Sequence, residues 1–276
     1  MRATDLLLAG LAAAAAGLVN ALAGGGTLVT FPVLVGLGLP AVVANVTSTV
    51  ALTPGYLAAA FAQSRTLGNQ QPRLRLLLPA GALGGLTGGV LLLGSGERLF
   101  RSLVPALLIV ATLLLAAQEP LRRFVAGRAD GDSRPPGRAG VNERGASGSG
   151  TKTPPAGAAA ALLVGLAAIY GGYFGAGVSV VVLAVLALTL DDSLVRLNAL
   201  KQLIALGING AASVLFLFSG RIVWPVAVVM AASSVLGGAL GGRLAETIPP
   251  AVLRWTVVAC GALAAFAFAV RGEGVR

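Results

Sequence analysis

Polar residues able to hold a substrate are few in this chain, and they cluster. Asn20 precedes the run Gly24-Gly25-Gly26-Thr27, and Asn45, Thr47, Ser48 and Thr49 follow after one apolar stretch. In the second half Gly175, Gly177 and Ser179 form a similar break, with Asn198, Lys201 and Gln202 beyond it. Backbone N–H groups freed at a helix start carry partial positive charge, and neighbouring hydroxyls and amides add donors. Such a set suits a small anion. It does not suit catalysis. The chain has no histidine, which removes His-based acid–base chemistry and most metal sites. Cys260 is the sole cysteine, lies in an apolar run and can form no internal disulfide. Gly-Gly-Gly-Thr is not a nucleotide loop, because no Gly-Lys-Ser/Thr follows it. No enzyme, metal or cofactor is therefore expected.

The elements that position these residues follow from composition. Of 276 residues, 56% are hydrophobic and only 11% charged, with a mean hydropathy of +0.88. A soluble domain carries roughly a quarter charged residues to keep its surface wet, so the expected solvent is the lipid bilayer. The net charge of +10 does not point to nucleic acid, because the basic residues fall singly or in pairs between apolar blocks, as in membrane loops. No charge occurs from Leu6 to Ser64, and further charge-free blocks cover 76–96, 102–118, 153–190, 202–220, 222–242 and 255–270.

A crossing helix needs about 20 apolar residues. The blocks hold crossings near 4–23, 42–63, 75–95, 101–117, 156–173, 197–218, 222–242 and 252–270. The expected fold is an all-α polytopic membrane protein of about eight transmembrane helices in two four-helix repeats. Residues 1–117 form the first repeat, 118–155 a charged flexible loop, and 156–276 the second. The loop carries seven Lys/Arg, which places it in the cytoplasm. Four crossings on either side then place both termini there too, with 14 basic residues inside against six outside. Ala21-Leu22-Ala23 mimics a leader cleavage site, but the run continues into more membrane sequence and has a counterpart in the second half.

The halves resemble each other at an offset of 151–153 residues. Gly24–Gly26 matches 175–177, Asn45 matches Asn198, and the pairs Gly84-Gly85 and Gly88-Gly89 match Gly237-Gly238 and Gly241-Gly242. The common order and spacing argue against chance, and duplicated halves mark transporters. An even number of crossings per half makes the repeats parallel, unless one short segment also spans. After each glycine break come only 11 to 13 apolar residues, Thr27–Leu37 and Val178–Leu190, which reach about half way through a bilayer. Both read as half-helices, re-entrant or discontinuous, and non-helical backbone at that depth persists only inside protein or a water-filled cavity.

From Gly17-Leu18-Val19-Asn20 through Gly24-Gly25-Gly26-Thr27 to Phe31-Pro32, the chain resembles the TauE/SafE family of sulfite-exporter-like permeases. Ala44-Asn45-Val46-Thr47-Ser48 fits the same family, and Tyr173-Phe174-Gly175-Ala176-Gly177 with Asn198 resembles its degenerate second copy. The resemblance covers nearly the whole chain apart from 118–155. It implies an inner-membrane permease moving small anions outward, sulfite or organosulfonates above all; an anion channel using the same broken helices, or a non-transporting membrane assembly or signalling protein, is the alternative reading.

Each candidate has a structural alternative. Asn20 either contacts substrate or holds the broken backbone, and Gly24–Thr27 either donate to an anion or form a tight bend. Asn45, Thr47 and Ser48 exceed what a helix cap needs, which favours cavity lining. Lys201 either balances an anion, snorkels, or pairs with Asp191 or Asp192. Gly81, Gly84, Gly85, Gly88 and Gly89, and the glycines at 237–242, are packing faces. Asn209 and Ser213 are further candidates along the path. The expected partners are a small anionic substrate and lipid; oligomeric state stays open.

Overall fold

The computed structural model describes residues 2–22, 24–62, 70–120, 157–190, 192–244 and 250–273. Among them it is helical throughout, with no strand: α1 Ala3–Leu22, α2 Thr27–Gly36, α3 Ala41–Ala62, α4 Gln71–Ala116, α5 Ala158–Tyr173, α6 Val178–Thr189, α7 Leu194–Leu217, α8 Trp224–Leu244 and α9 Pro250–Glu273. Beyond Pro120, the charged segment expected up to 155 lies outside the described residues, as does Asp191. α4 is two arms. Gly96, at φ 71° and ψ 167°, breaks it where an L side chain would strain the backbone, leaving arms 71–95 and 97–116. The adjoining Glu97, Arg98 and Arg101 mark the membrane face at that kink.

Among the described residues, five helices are long and apolar enough to cross a membrane. The outward faces of the bundle are apolar, with Leu83, Leu113, Leu162, Leu236, Leu263 and Phe266 exposed. Buried instead are Asn20, Asn45, Thr47, Ser48, Lys201 and Gln202. A greasy exterior around a polar interior reverses the arrangement of a soluble protein and matches a bilayer as solvent.

The glycine stripes set the tightest crossings. A Cβ on Gly84 would lie 2.3 Å from the Gly165 carbonyl oxygen, and one on Gly88 2.1 Å from that of Ile169. On the other side a Cβ on Gly17 would lie 2.3 Å from the Ser234 carbonyl oxygen, and one on Gly237 2.0 Å from that of Ala14. These contacts leave no room for any side chain, and close backbone approach is how helices pack without a hydrophobic drive between them. They also show that the halves interleave. α1 packs on α8, and α5 on the first arm of α4.

The same contacts give helix directions. Along α1, Gly10, Gly17 and Leu18 meet Ser233, Gly238 and Gly241 in order, so α1 and α8 run parallel. Gly84 and Gly88 meet Gly165 and Ile169, so the first arm of α4 and α5 do too. α3 opposes α7: Tyr56 and Leu52 cluster with Ala205, Thr53 bonds Ser213, and Thr47 bonds Val223 beyond the end of α7. Arm 97–116 likewise opposes α9, with Thr112 against Gly261 while Phe100 and Phe268 both pack on Phe31. Matching elements of the halves therefore run in opposite senses.

α2 and α6, read from sequence as re-entrant or discontinuous half-helices, each run back toward the face their preceding helix came from. The chain leaves at Pro120 and returns at Gly157 on the face opposite both termini. Hydropathy counted the length of the half-helices, 10 and 12 residues, and length carries no direction.

Candidate functional site

The two breaks meet at the middle of the molecule. At Gly24, φ is +77° and a Cβ would lie 2.5 Å from Ser179 Cβ; at Gly175, φ is +79° and a Cβ would lie 3.8 Å from Thr27 Oγ1. Each tip thus faces the first residues of the other half's short helix. The N-termini of α2 and α6 converge there, and both helices are apolar below their first turn.

The tips differ in how their donors are used. Asn20 Oδ1 accepts from Gly25 N–H at 3.1 Å and from Gly26 N–H at 2.7 Å, and Gly24 N–H donates to the Val19 carbonyl at 2.9 Å. The amide of Asn20 therefore holds the first break together. In the second tip Gly171 stands where the repeat offset would place such a side chain, and no side chain takes the N–H groups of Ala176 or Gly177. Tyr170 hydroxyl donates to the Ala176 carbonyl at 2.7 Å, steadying the bend from the acceptor side. Ser179 Oγ is buried, and its hydrogen-bonding neighbour is the Tyr56 hydroxyl of α3. Asn209, buried in α7, reaches the same region.

Of the residues singled out by sequence, Asn20, Gly24, Gly25, Gly26, Thr27, Gly175, Gly177 and Ser179 are brought together. The α3 group is spread along its helix. Ser48 and Thr30 share a hydrogen bond at 2.6 Å beside the first turn of α2. Asn45 donates to the Tyr173 carbonyl at 3.0 Å, leaving Oδ1 unpartnered, and Thr47 accepts from Val223 N–H at 3.2 Å. Lys201 donates to Asn198 Oδ1 at 2.7 Å. Lys201 lies eight residues before Asn209 in α7, about 12 Å from the tips along the axis. Tyr56 was missed; its position, 153 residues before Asn209, is the signal that would have found it.

Charged groups stand at the two faces. On the face with Pro120 and Gly157, buried Arg73 at the start of α4 bonds Asp192 at the start of α7, and Gln70 donates to the same carboxylate at 2.8 Å. Arg196 adds a contact at 3.5 Å. Burial pushes the Asp192 carboxyl up, but the bonds from Gln70, Ser193 N–H and Arg73 and the Arg196 charge outweigh it and hold it below the usual carboxylate range. On the opposite face the Glu97 carboxylate accepts from Ala41 and Val42 N–H, the latter at 3.0 Å, capping α3 from another helix. Beside it opens a cleft of about 750 Å³, with Pro32, Leu39, Arg101 and Phe268 in its wall. Phe268 stacks on Phe31 at 5.9 Å, and Phe31 meets Phe174 edge-on at 5.4 Å. Phe174 directly precedes the second tip, so aromatic rings fill the way from cleft to tips.

Paired broken helices buried in a polar core, inside an apolar shell, define a multi-pass membrane transport protein. Residues 9–268 match the family described as Sulfite exporter TauE/SafE. The chain belongs to that family. It is similar over 248 residues, at 26% identity, to a "Probable membrane transporter protein" of Haemophilus influenzae, covering 88% of this chain and 86% of that protein.

Proposed function

We propose that the chain is a secondary carrier exporting a small oxyanion, sulfite or an organosulfonate, bound where the α2 and α6 starts converge. The observation that carries this reading is Ser179: a buried hydroxyl at the N-terminus of α6, beside the Tyr56 hydroxyl and facing the other broken helix. Two helix N-termini aimed at one point favour negative charge. The open N–H groups of the second tip, Ser179 Oγ, Thr27 Oγ1 and the Tyr56 hydroxyl are its donors, while Asn20 keeps the first tip in shape.

The Arg73–Asp192 pair closes one face and the Phe31–Phe174–Phe268 rings close the other, which is an occluded state of an alternating-access cycle. Charge supports an orientation. Counted along the sequence, the loops on the side of Pro120 and Gly157 carry 14 Lys/Arg, among them Arg73, Arg75, Arg196, Lys201 and the seven of 122–152. The termini face receives six: Arg2, Arg98, Arg101, Arg221, Arg271 and Arg276. The richer face is cytoplasmic by the positive-inside rule, so the termini lie outside an inner membrane. A negative interior then drives an anion outward without a buried carboxylate.

The test is efflux of sulfite from proteoliposomes by wild type and by Ser179→Ala/Thr27→Val. We expect saturable wild-type efflux and a loss of at least about tenfold in the variant, the weakest effect of losing one hydrogen bond to a charged group. Absence of wild-type movement of any small oxyanion, or undiminished efflux by the folded variant, refutes the proposal.

A further inference from the structure

The tip region is not lined by donors alone. Asn209 Nδ2 donates to the Ala205 carbonyl at 2.8 Å. That bond fixes the amide, because the reversed amide would set two carbonyl oxygens against each other. Asn209 Oδ1 therefore turns toward the second tip, where it would lie 3.7 Å from a Cβ on Gly175, and no protein donor reaches it.

Two more oxygens share that spot. The Gly171 carbonyl oxygen would lie 3.3 Å from the same Cβ and Thr27 Oγ1 3.8 Å. The helical partner of the Gly171 carbonyl, the Gly175 N–H, turns to the Tyr170 carbonyl instead. Because residue 175 is glycine, the space in front of these oxygens is unfilled. Two of the three are acceptors only, and the hydroxyl can be either.

A bare oxyanion oxygen there would face lone pairs, a repulsive arrangement in a dry interior. One carrying a hydrogen would satisfy them. We infer that the site selects a singly charged oxyanion that keeps one O–H, such as hydrogen sulfite, with Asn209 Oδ1 accepting that hydrogen. The inference rests on the anion site proposed above. It adds a division of labour: the N–H groups and hydroxyls of the tips take the charged oxygens, and the acceptors around Gly175 read the proton.

Methanesulfonate tests it, because it matches hydrogen sulfite in charge and approximate size but has no O–H. In sodium-free proteoliposomes, wild type should move hydrogen sulfite at least about tenfold faster than methanesulfonate, since a buried acceptor left unpaired is costly. Asn209→Leu, close in shape but without an acceptor, should bring that ratio to within about threefold of one. Protection of wild type from thermal unfolding by each anion gives the same comparison without a variant, and hydrogen sulfite should protect at lower concentration. Equal transport and protection by both anions, or a ratio unchanged in Asn209→Leu, overturns the inference and leaves the anion site standing. A strict sodium requirement also overturns it, by making the three oxygens a cation site. Failure to move either anion, with sodium added as well as without it, refutes the proposed function itself.

Discussion

The meeting of the two tips can be measured through Gly24. In Gly24→Ala the new Cβ would lie 2.5 Å from Ser179 Cβ and 3.1 Å from its Oγ, on a residue whose φ is +77°. The left-handed backbone costs an L side chain about 1–2 kcal/mol. Forcing a methyl group into packed surroundings costs about 1–3 kcal/mol. The substitution should destabilise the protein by about 2–5 kcal/mol. The two shares separate in a double-mutant cycle. Ser179→Gly removes the atoms that the new methyl strikes, so Gly24→Ala/Ser179→Gly should recover the steric share while keeping the backbone share. The expected coupling is about 1–3 kcal/mol in favour of the double variant. Gly210→Ala is the control: that helical glycine faces open space, and alanine there should be neutral or stabilise by up to about 1 kcal/mol. The assay is unfolding free energy in mixed micelles. Effects of Gly24→Ala and Ser179→Gly that add within about 0.3 kcal/mol would mean the tips do not touch, and the central site would lose its basis.

Asn20→Leu should cost about 2–4 kcal/mol, because two buried N–H groups lose their acceptor. Asn20→Asp keeps the acceptor and should fold, yet its charge should abolish sulfite efflux; normal efflux would remove Asn20 from the neighbourhood of the anion. Arg73→Met leaves the nearly buried Asp192 carboxylate without its closest cation, with Gln70, Ser193 N–H and Arg196 still in place, and should cost about 2–3 kcal/mol at neutral pH. The folded-state pKa of Asp192 is depressed, so its contribution is complete above the ordinary carboxylate range and fades as pH falls through the folded value. The gap between wild type and Arg73→Met should therefore narrow in acid, as read by thermal midpoints against pH. In a Cys260→Ala background, Gly157→Cys and Ser219→Cys should react with an impermeant maleimide from opposite sides of sealed vesicles. Labelling from one side would restore the four-traverse topology.

Much of this fold was legible because membrane helices announce themselves by length and lack of charge. The glycine stripes at 84–89 and 237–241 were legible too, since small residues at helical spacing have one common use in a bilayer. Both breaks were visible as glycine clusters followed by runs too short to span. Their direction was not, because length and composition carry none. The site was half legible. Gly24–Thr27 and Gly175–Ser179 stood out because polar backbone is costly in hydrocarbon. Tyr56 lies unmarked inside an apolar helix and Asn209 stood out only as a candidate along the path; the antiparallel packing of α3 and α7 brings both to the tips. Lys201 drew attention as a cation in an apolar helix; it donates to Asn198 near the helix start, about 12 Å along the axis from the tips.

The interleaved halves bear on how the protein is made. Gly17 in α1 finds its tight contact at Gly238, 221 positions later in the chain. At about 5–20 residues per second, synthesis of the intervening segment takes about 10–45 s. Throughout that time the glycine face of α1 is in the membrane with no partner, and any other small-residue face is a competitor. The first arm of α4 waits far less, since its partner α5 is the next helix. Assembly should therefore begin at the α4–α5 crossing and finish with α1 and α8. A nascent chain halted before α8 would present an unfinished groove to quality-control proteases.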